Sequence, residues 1–208
     1  MLLKKNYPII NTVPIESLLD KIRHCTLCAS ELPLAAKPIL QASSQSKILI
    51  AGQAPGSITH EKGRPFDDKS GQRLRSWLGV SCAQFYDAKL FAIVPMGFCY
   101  PGKGQSGDLP PMPLCAKTWR AQVLAQLPDI QLTLMLGKYA INWHLQTNAK
   151  ITDLAQDWQR LLAHNQLVLP HPSPRNNLWL KKNPWFEQQV LPALQQRVKQ
   201  IIPDQVSR

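Results

Sequence analysis

Two rhythms of apolar residues alternate along the chain, a helical spacing and short uninterrupted runs. Ile15 to His24 carries Leu18, Leu19 and Ile22 on one helical face, with Pro14 suited to the first turn. Glu31 to Ser46 has no period and reads as a linker into Lys47 to Ala51, the first apolar run and first predicted strand. Ser70 to Leu78 is helical through Leu74, Trp77 and Leu78, and Leu90 to Pro95 reads as the second strand. Cys99 to Leu114 is a long Gly/Pro loop, of the length that is usually functional or pinned by a bound group. The pattern then gives a helix over Ala116 to Leu127, a strand over Leu132 to Leu136, and helices over Lys138 to Leu145 and Asp153 to Ala163. Leu167 to Pro170 is the fourth strand, and Pro184 to Ile201 is a closing helix that Pro192 should break or kink. Strands alternating with helices predict the α/β class, as one domain over residues 1–208. Its expected form is a three-layer α/β/α fold around a parallel sheet of about four strands.

Two polar segments stand directly after predicted strands. Gly52-Gln53-Ala54-Pro55-Gly56 follows the first, and His171-Pro172-Ser173-Pro174-Arg175-Asn176 follows the last. In open parallel sheets, loops leaving the C-terminal strand ends build the ligand crevice. The two segments therefore predict one site assembled from distant parts of the chain.

Charge adds a class of partner. Lys and Arg outnumber Asp and Glu by 24 to 13, a net +11. Such an excess suits a polyanion, since each neutralised phosphate releases a counterion. Arg175, Lys181 and Lys182 fall within or just after the second segment, interleaved with Trp179 and Trp185. No apolar run is long enough to span a membrane, and the first residues lack the apolar core of a signal peptide, so the expected compartment is the cytoplasm.

Five cysteines are present. Cys25-Thr26-Leu27-Cys28 lets two thiolates reach one metal centre, and Cys99 and Cys115 lie on the Gly/Pro loop with fifteen residues between them. Four soft sulfur ligands suit tetrahedral zinc or an iron–sulfur cluster, with unrelated buried cysteines as the alternative. Cys82 has no neighbour in sequence and reads as a small core residue.

Taken together, these residues resemble the uracil-DNA glycosylase superfamily. Gly52-Gln53-Ala54-Pro55-Gly56, then Gly63-Arg64-Pro65-Phe66, then Ser70-Gly71 are similar to the first motif region of its iron–sulfur, family-four branch. Cys25, Cys28, Cys99 and Cys115 match the cluster cysteines of that branch in order and approximate spacing, which implies a 4Fe-4S cluster, with zinc as the alternative. The last segment looks more like that of the single-strand-selective monofunctional glycosylases. The resemblance implies a monomer that acts on DNA, flips a base from the stack and cleaves its N-glycosidic bond. It implies His171 as the donor to the departing base anion and Phe66 as the stacking platform. Gly52, Ala54, Pro55 and Gly56 would shape the loop against sugar and base. Ser173 would contact phosphate, Pro174, Arg175 and Asn176 would enter the duplex, and Lys181 and Lys182 would meet phosphates.

Three departures bear on activity. Gln53 replaces the branch's glutamate and can position water but cannot act as a base. His60, Glu61, Asp67 and Asp68 are the nearby groups left to orient or activate water, with Asp68 and His60 the leading candidates. Pro95 stands where the branch carries an asparagine that reads the uracil edge, which leaves the substrate open: uracil, another deaminated or oxidised base, or very weak activity. Tyr100 to Leu114 contains no histidine, which argues against the covalent trapping of a related branch. A member that binds DNA or a modified base without cleaving it, or a pocket for a nucleotide-like small molecule, are the rival readings.

Overall fold

The apolar runs become strands because both of their faces are covered. In the computed structural model, which describes residues 14–105 and 107–202, they form β1 (Ile48–Ala51), β2 (Phe91–Ile93), β3 (Leu132–Leu136) and β4 (Gln166–Leu169). The sheet runs β2-β1-β3-β4 with every pair parallel. Parallel neighbours need crossover connections, and these supply the helices that cover both faces.

The connections carry α1 (Ile15–Arg23), α2 (Ser57–Lys62), α3 (Lys69–Leu78), α4 (Cys82–Tyr86), α5 (Pro113–Cys115) and α6 (Ala121–Ala125). After β3 come α7 (Lys138–Leu145), α8 (Ile151–Gln156) and α9 (Trp158–Ala163), and after β4 come α10 (Asn177–Lys182) and α11 (Leu191–Ile201). Alternate strand residues divide between two layers. Ile48, Ile50, Phe91, Leu134 and Leu167 pack with Leu74, Trp77 and Leu78 of α3 and with Leu194 and Val198 of α11. Leu49, Ala92 and Val94 face Ile15, Leu18, Leu19 and Ile22 of α1, while Ala51, Met135 and Val168 face α7 through α9. The result is the expected three-layer arrangement.

Several details differ from the sequence pattern, each for a local reason. Ser57–Lys62, Cys82–Tyr86 and Asn177–Lys182 are helices too short to show a period. Asp157 divides the predicted Asp153–Ala163 helix: its ψ of 25° departs from helical values, although its N–H still donates to the Asp153 carbonyl and its carbonyl accepts from Leu161 N–H, both at 3.1 Å. Pro192 sits in the first turn of α11 and does not break it, because a wider π turn over Phe186–Val190 precedes it. The linker is also more than a spacer. Gln41 exchanges both backbone bonds with Ile93, at 3.0 and 2.7 Å, and so covers the outer edge of β2. Cys82 is exposed, not a core residue.

Candidate active site

The first segment leaves β1 still paired to the chain beyond β2. Met96 N–H donates to the Gly52 carbonyl at 2.9 Å and Gly97 N–H to that of Gln53 at 3.0 Å. The second segment leaves β4 after Pro170 and closes on itself, with Asn176 Nδ2 donating to the His171 carbonyl at 2.7 Å. Both segments line one crevice of about 560 Å³ at the C-terminal end of the sheet, together with Phe66, Asp68, Pro95 and Asp108.

Phe66 is held there by force of its surroundings. Its backbone adopts φ 54°, a left-handed conformation that a bulky residue rarely takes. Arg75 Nη1 donates to its carbonyl at 3.3 Å, and the Tyr86 hydroxyl lies 3.0 Å from the same oxygen. Gly71 makes that approach possible, since a Cβ there would sit 1.7 Å from the Phe66 carbonyl oxygen. The Phe66 ring packs edge-on against Phe85 and stacks toward His171, with ring centroids 6.4 Å apart and planes at 30°. Strain of this kind persists only where the surroundings over-determine it, and it clusters at functional sites.

Burial pushes His171 below its ordinary value, against Asp68 and Asp108, which pull it back up, while Arg175 lowers it further. The imidazole is therefore neutral at neutral pH, able to donate from one ring nitrogen. Asp68 also shapes the backbone, because its Oδ1 accepts from Gly71 N–H at 2.8 Å and caps α3.

His60, placed with Asp68 by the sequence pattern, points elsewhere. Its ring lies 6.1 Å from that of Tyr100, outside the crevice, and Lys37 Nζ donates to the carbonyls of His60 and Glu61. Asp67 pairs with Lys62 at 3.7 Å. Trp179 and Trp185 are packing residues rather than base platforms. They meet each other and Phe186 edge-on, and Trp179 Nε1 donates to Thr152 Oγ1 at 2.9 Å. Pro174, Arg175, Lys181 and Lys182 are exposed, and Ser173 is half-buried.

Three residues escaped the pattern. Arg73 Nη1 reaches the Ser173 carbonyl at 3.2 Å and ties α3 to the second segment. Arg120 is wholly buried under the crevice floor. Its Nη1 donates to the carbonyls of Val94 and Pro95 at 2.9 and 3.0 Å, and its Nη2 lies 2.7 Å from His144 Nε2. Asp108 comes from the long Gly/Pro loop. That loop is fastened across the crevice by Gln53 Nε2, which donates to the Leu109 carbonyl at 3.0 Å.

Cys25, Cys28, Cys99 and Cys115 line a second, largely apolar pocket with Phe98 and Trp119. Phe98 N–H and Trp119 Nε1 each lie 3.3 Å from a sulfur, those of Cys115 and Cys25. Burial is the main cause pushing Cys28, Cys99 and Cys115 upward, the last to about 12, and the neighbouring thiols add to it. Among the described residues, no group of three or more His, Cys, Asp or Glu side chains converges closely enough to hold a metal ion. No helix among them is long and apolar enough to cross a membrane.

A family model for the uracil DNA glycosylase superfamily matches residues 40–195. The match takes in both crevice segments, Phe66, Cys99 and Cys115, and begins after Cys25 and Cys28.

Proposed function

The chain belongs to the uracil DNA glycosylase superfamily, and from that premise we propose that it is a base-excision glycosylase hydrolysing the N-glycosidic bond of uracil or a related damaged base in DNA. The observation that carries this reading is the stacked pair of Phe66 and neutral His171, brought from distant parts of the chain into one crevice. A flipped base lies on the Phe66 face, which grips any base without reading its edge. Cleavage sends negative charge onto the base and positive charge onto the sugar. The imidazole N–H of His171 donates to the base oxygen where that charge develops. Exposed Arg175, Lys181 and Lys182 meet the phosphates, and the Pro174–Asn176 turn enters where the base leaves.

Four thiols lining one pocket suit a shared metal group, and the resemblance to the iron–sulfur branch favours a 4Fe-4S cluster over a single zinc ion. N–H donors aimed at two of the sulfurs fit the same group. Its contribution would be structural, tying the segment after α1 to the long loop. Visible absorption by a brown, iron-containing protein supports the cluster; a colourless protein with bound zinc contradicts it.

The rival reading is a module that binds DNA or a modified base. It draws on Gln53, which leaves the first segment without an ionisable group, and on Pro95 at the position of the base-reading asparagine. The test is a panel of single- and double-stranded oligonucleotides bearing uracil, hydroxymethyluracil, hypoxanthine or xanthine. Abasic product abolished by His171→Ala supports the glycosylase. Binding with no abasic product across the panel supports the rival.

A further inference from the structure

The first segment has lost its carboxylate, yet the crevice has not. Its two acidic side chains among the described residues are Asp68 and Asp108, and they occupy different places. Asp68 is half-buried at the start of α3, is tied to Gly71 N–H, and is the stronger of the two acids acting on His171. Asp108 stands against the first segment, its Oδ2 3.4 Å from where a Cβ on Gly56 would be, and it acts on His171 less than Asp68 does.

Two hydrogen bonds and one close approach set its place. Gln53, at the position the lost carboxylate would occupy, donates to the carbonyl of Leu109, the next residue after Asp108. Gly107, the residue before, has φ 150° and lies so close to Arg175 that a Cβ there would meet its guanidinium at 2.7 Å. Leu109 N–H donates to the Gly102 carbonyl at 2.8 Å, closing the loop behind Asp108. Gln53 thus holds the long loop next to this exposed carboxylate, and Arg175 lies against it on the other side in sequence.

We propose that Asp108 is the general base of the reaction, delivered by the long loop to the face of the sugar beside Gly56, with Gln53 positioning it. The proposal rests on the glycosylase reading. In the step, a solvent water attacks C1′ of the deoxyribose and the N-glycosidic bond breaks. Its electron pair leaves with the base, whose anion His171 stabilises. The water's proton passes to the Asp108 carboxylate and from there to solvent, while the anion is protonated to the free base. The products are that base and a strand with a hydroxyl at C1′.

The experiment compares the wild-type chain with Asp108→Asn under single-turnover conditions, on whichever oligonucleotide of the panel the wild type cleaves. Affinity is measured in parallel with a non-cleavable 2′-fluoro analogue. Loss of general-base assistance should slow cleavage by about 10²–10⁴-fold, with affinity for the analogue within about threefold. Two results overturn the role while leaving the glycosylase reading intact: cleavage within about threefold of wild type, or rate and affinity falling together. A wild-type chain that makes no abasic product on any oligonucleotide overturns both.

Discussion

The carbonyl oxygen of Phe66 and the α-carbon of Gly71 approach so closely that a methyl group on the glycine would fall 1.7 Å from that oxygen. This contact connects the start of α3 to the ring that faces His171. Asp68 completes the turn by capping the helix, so fold and site share the same few residues.

Gly71→Ala should therefore reverse the usual sign. In a helix interior, alanine ordinarily stabilises by about 1 kcal/mol over glycine. Here it should destabilise by about 1–3 kcal/mol, the cost of overpacking, and displace Phe66. Thermal denaturation of the variant measures the sign directly.

Phe66→Ala removes the platform and leaves the donor. Base stacking contributes about 1–3 kcal/mol, so affinity for DNA with a flipped base should fall while the fold is retained. Titration with an oligonucleotide carrying the non-cleavable analogue checks this.

His171 also sets a pH dependence of stability. The unfolded histidine takes up a proton near pH ~6.5, whereas burial holds the folded one below that value. Below about 6.5 the unfolded state binds more protons, so unfolding free energy falls as pH drops toward the folded value. Above that range this group contributes no slope. Wild type should lose melting temperature across this acidic window faster than His171→Ala, which lacks the titrating ring.

The exposed cations should act through phosphate alone. Lys181→Ala with Lys182→Ala should weaken binding to all sequences equally. The salt slope of the binding constant should fall by about 0.7–0.9 for each phosphate left without its lysine. Unchanged slopes would place these lysines off the DNA.

The proposed cluster predicts that Cys28→Ala lowers bound iron and melting temperature together, because ligand geometry absent from the unfolded chain couples binding to folding. Metal content and thermal denaturation of purified protein measure both.

Much of the architecture was legible in the chain. Strands buried on both faces leave uninterrupted apolar runs, as at Ile48–Ala51 and Leu132–Leu136, and the segments after β1 and β4 announced the crevice by position. What stayed hidden lacks a periodic signal. Gln41 covers the β2 edge mainly through backbone bonds, which any side chain permits. Asp108 rides on a Gly/Pro loop whose course depends on contacts from Gln53 and Arg175, both remote in sequence. His60 sits next to the first segment in sequence, but α2 turns it toward Tyr100. Trp179 and Trp185 alternate with lysines as a nucleic-acid surface would, yet their rings complete the packing around Phe186.

The most direct measurement is release of free base from a single-stranded uracil-containing oligonucleotide, quantified by mass spectrometry alongside the abasic strand. Wild type should yield both products in equal amounts, and His171→Ala should slow their formation by about 10²–10³-fold, the cost of removing one donor to a developing anion. Equal rates for the two proteins would contradict the site described above, and an intact strand with wild type would contradict uracil as its substrate.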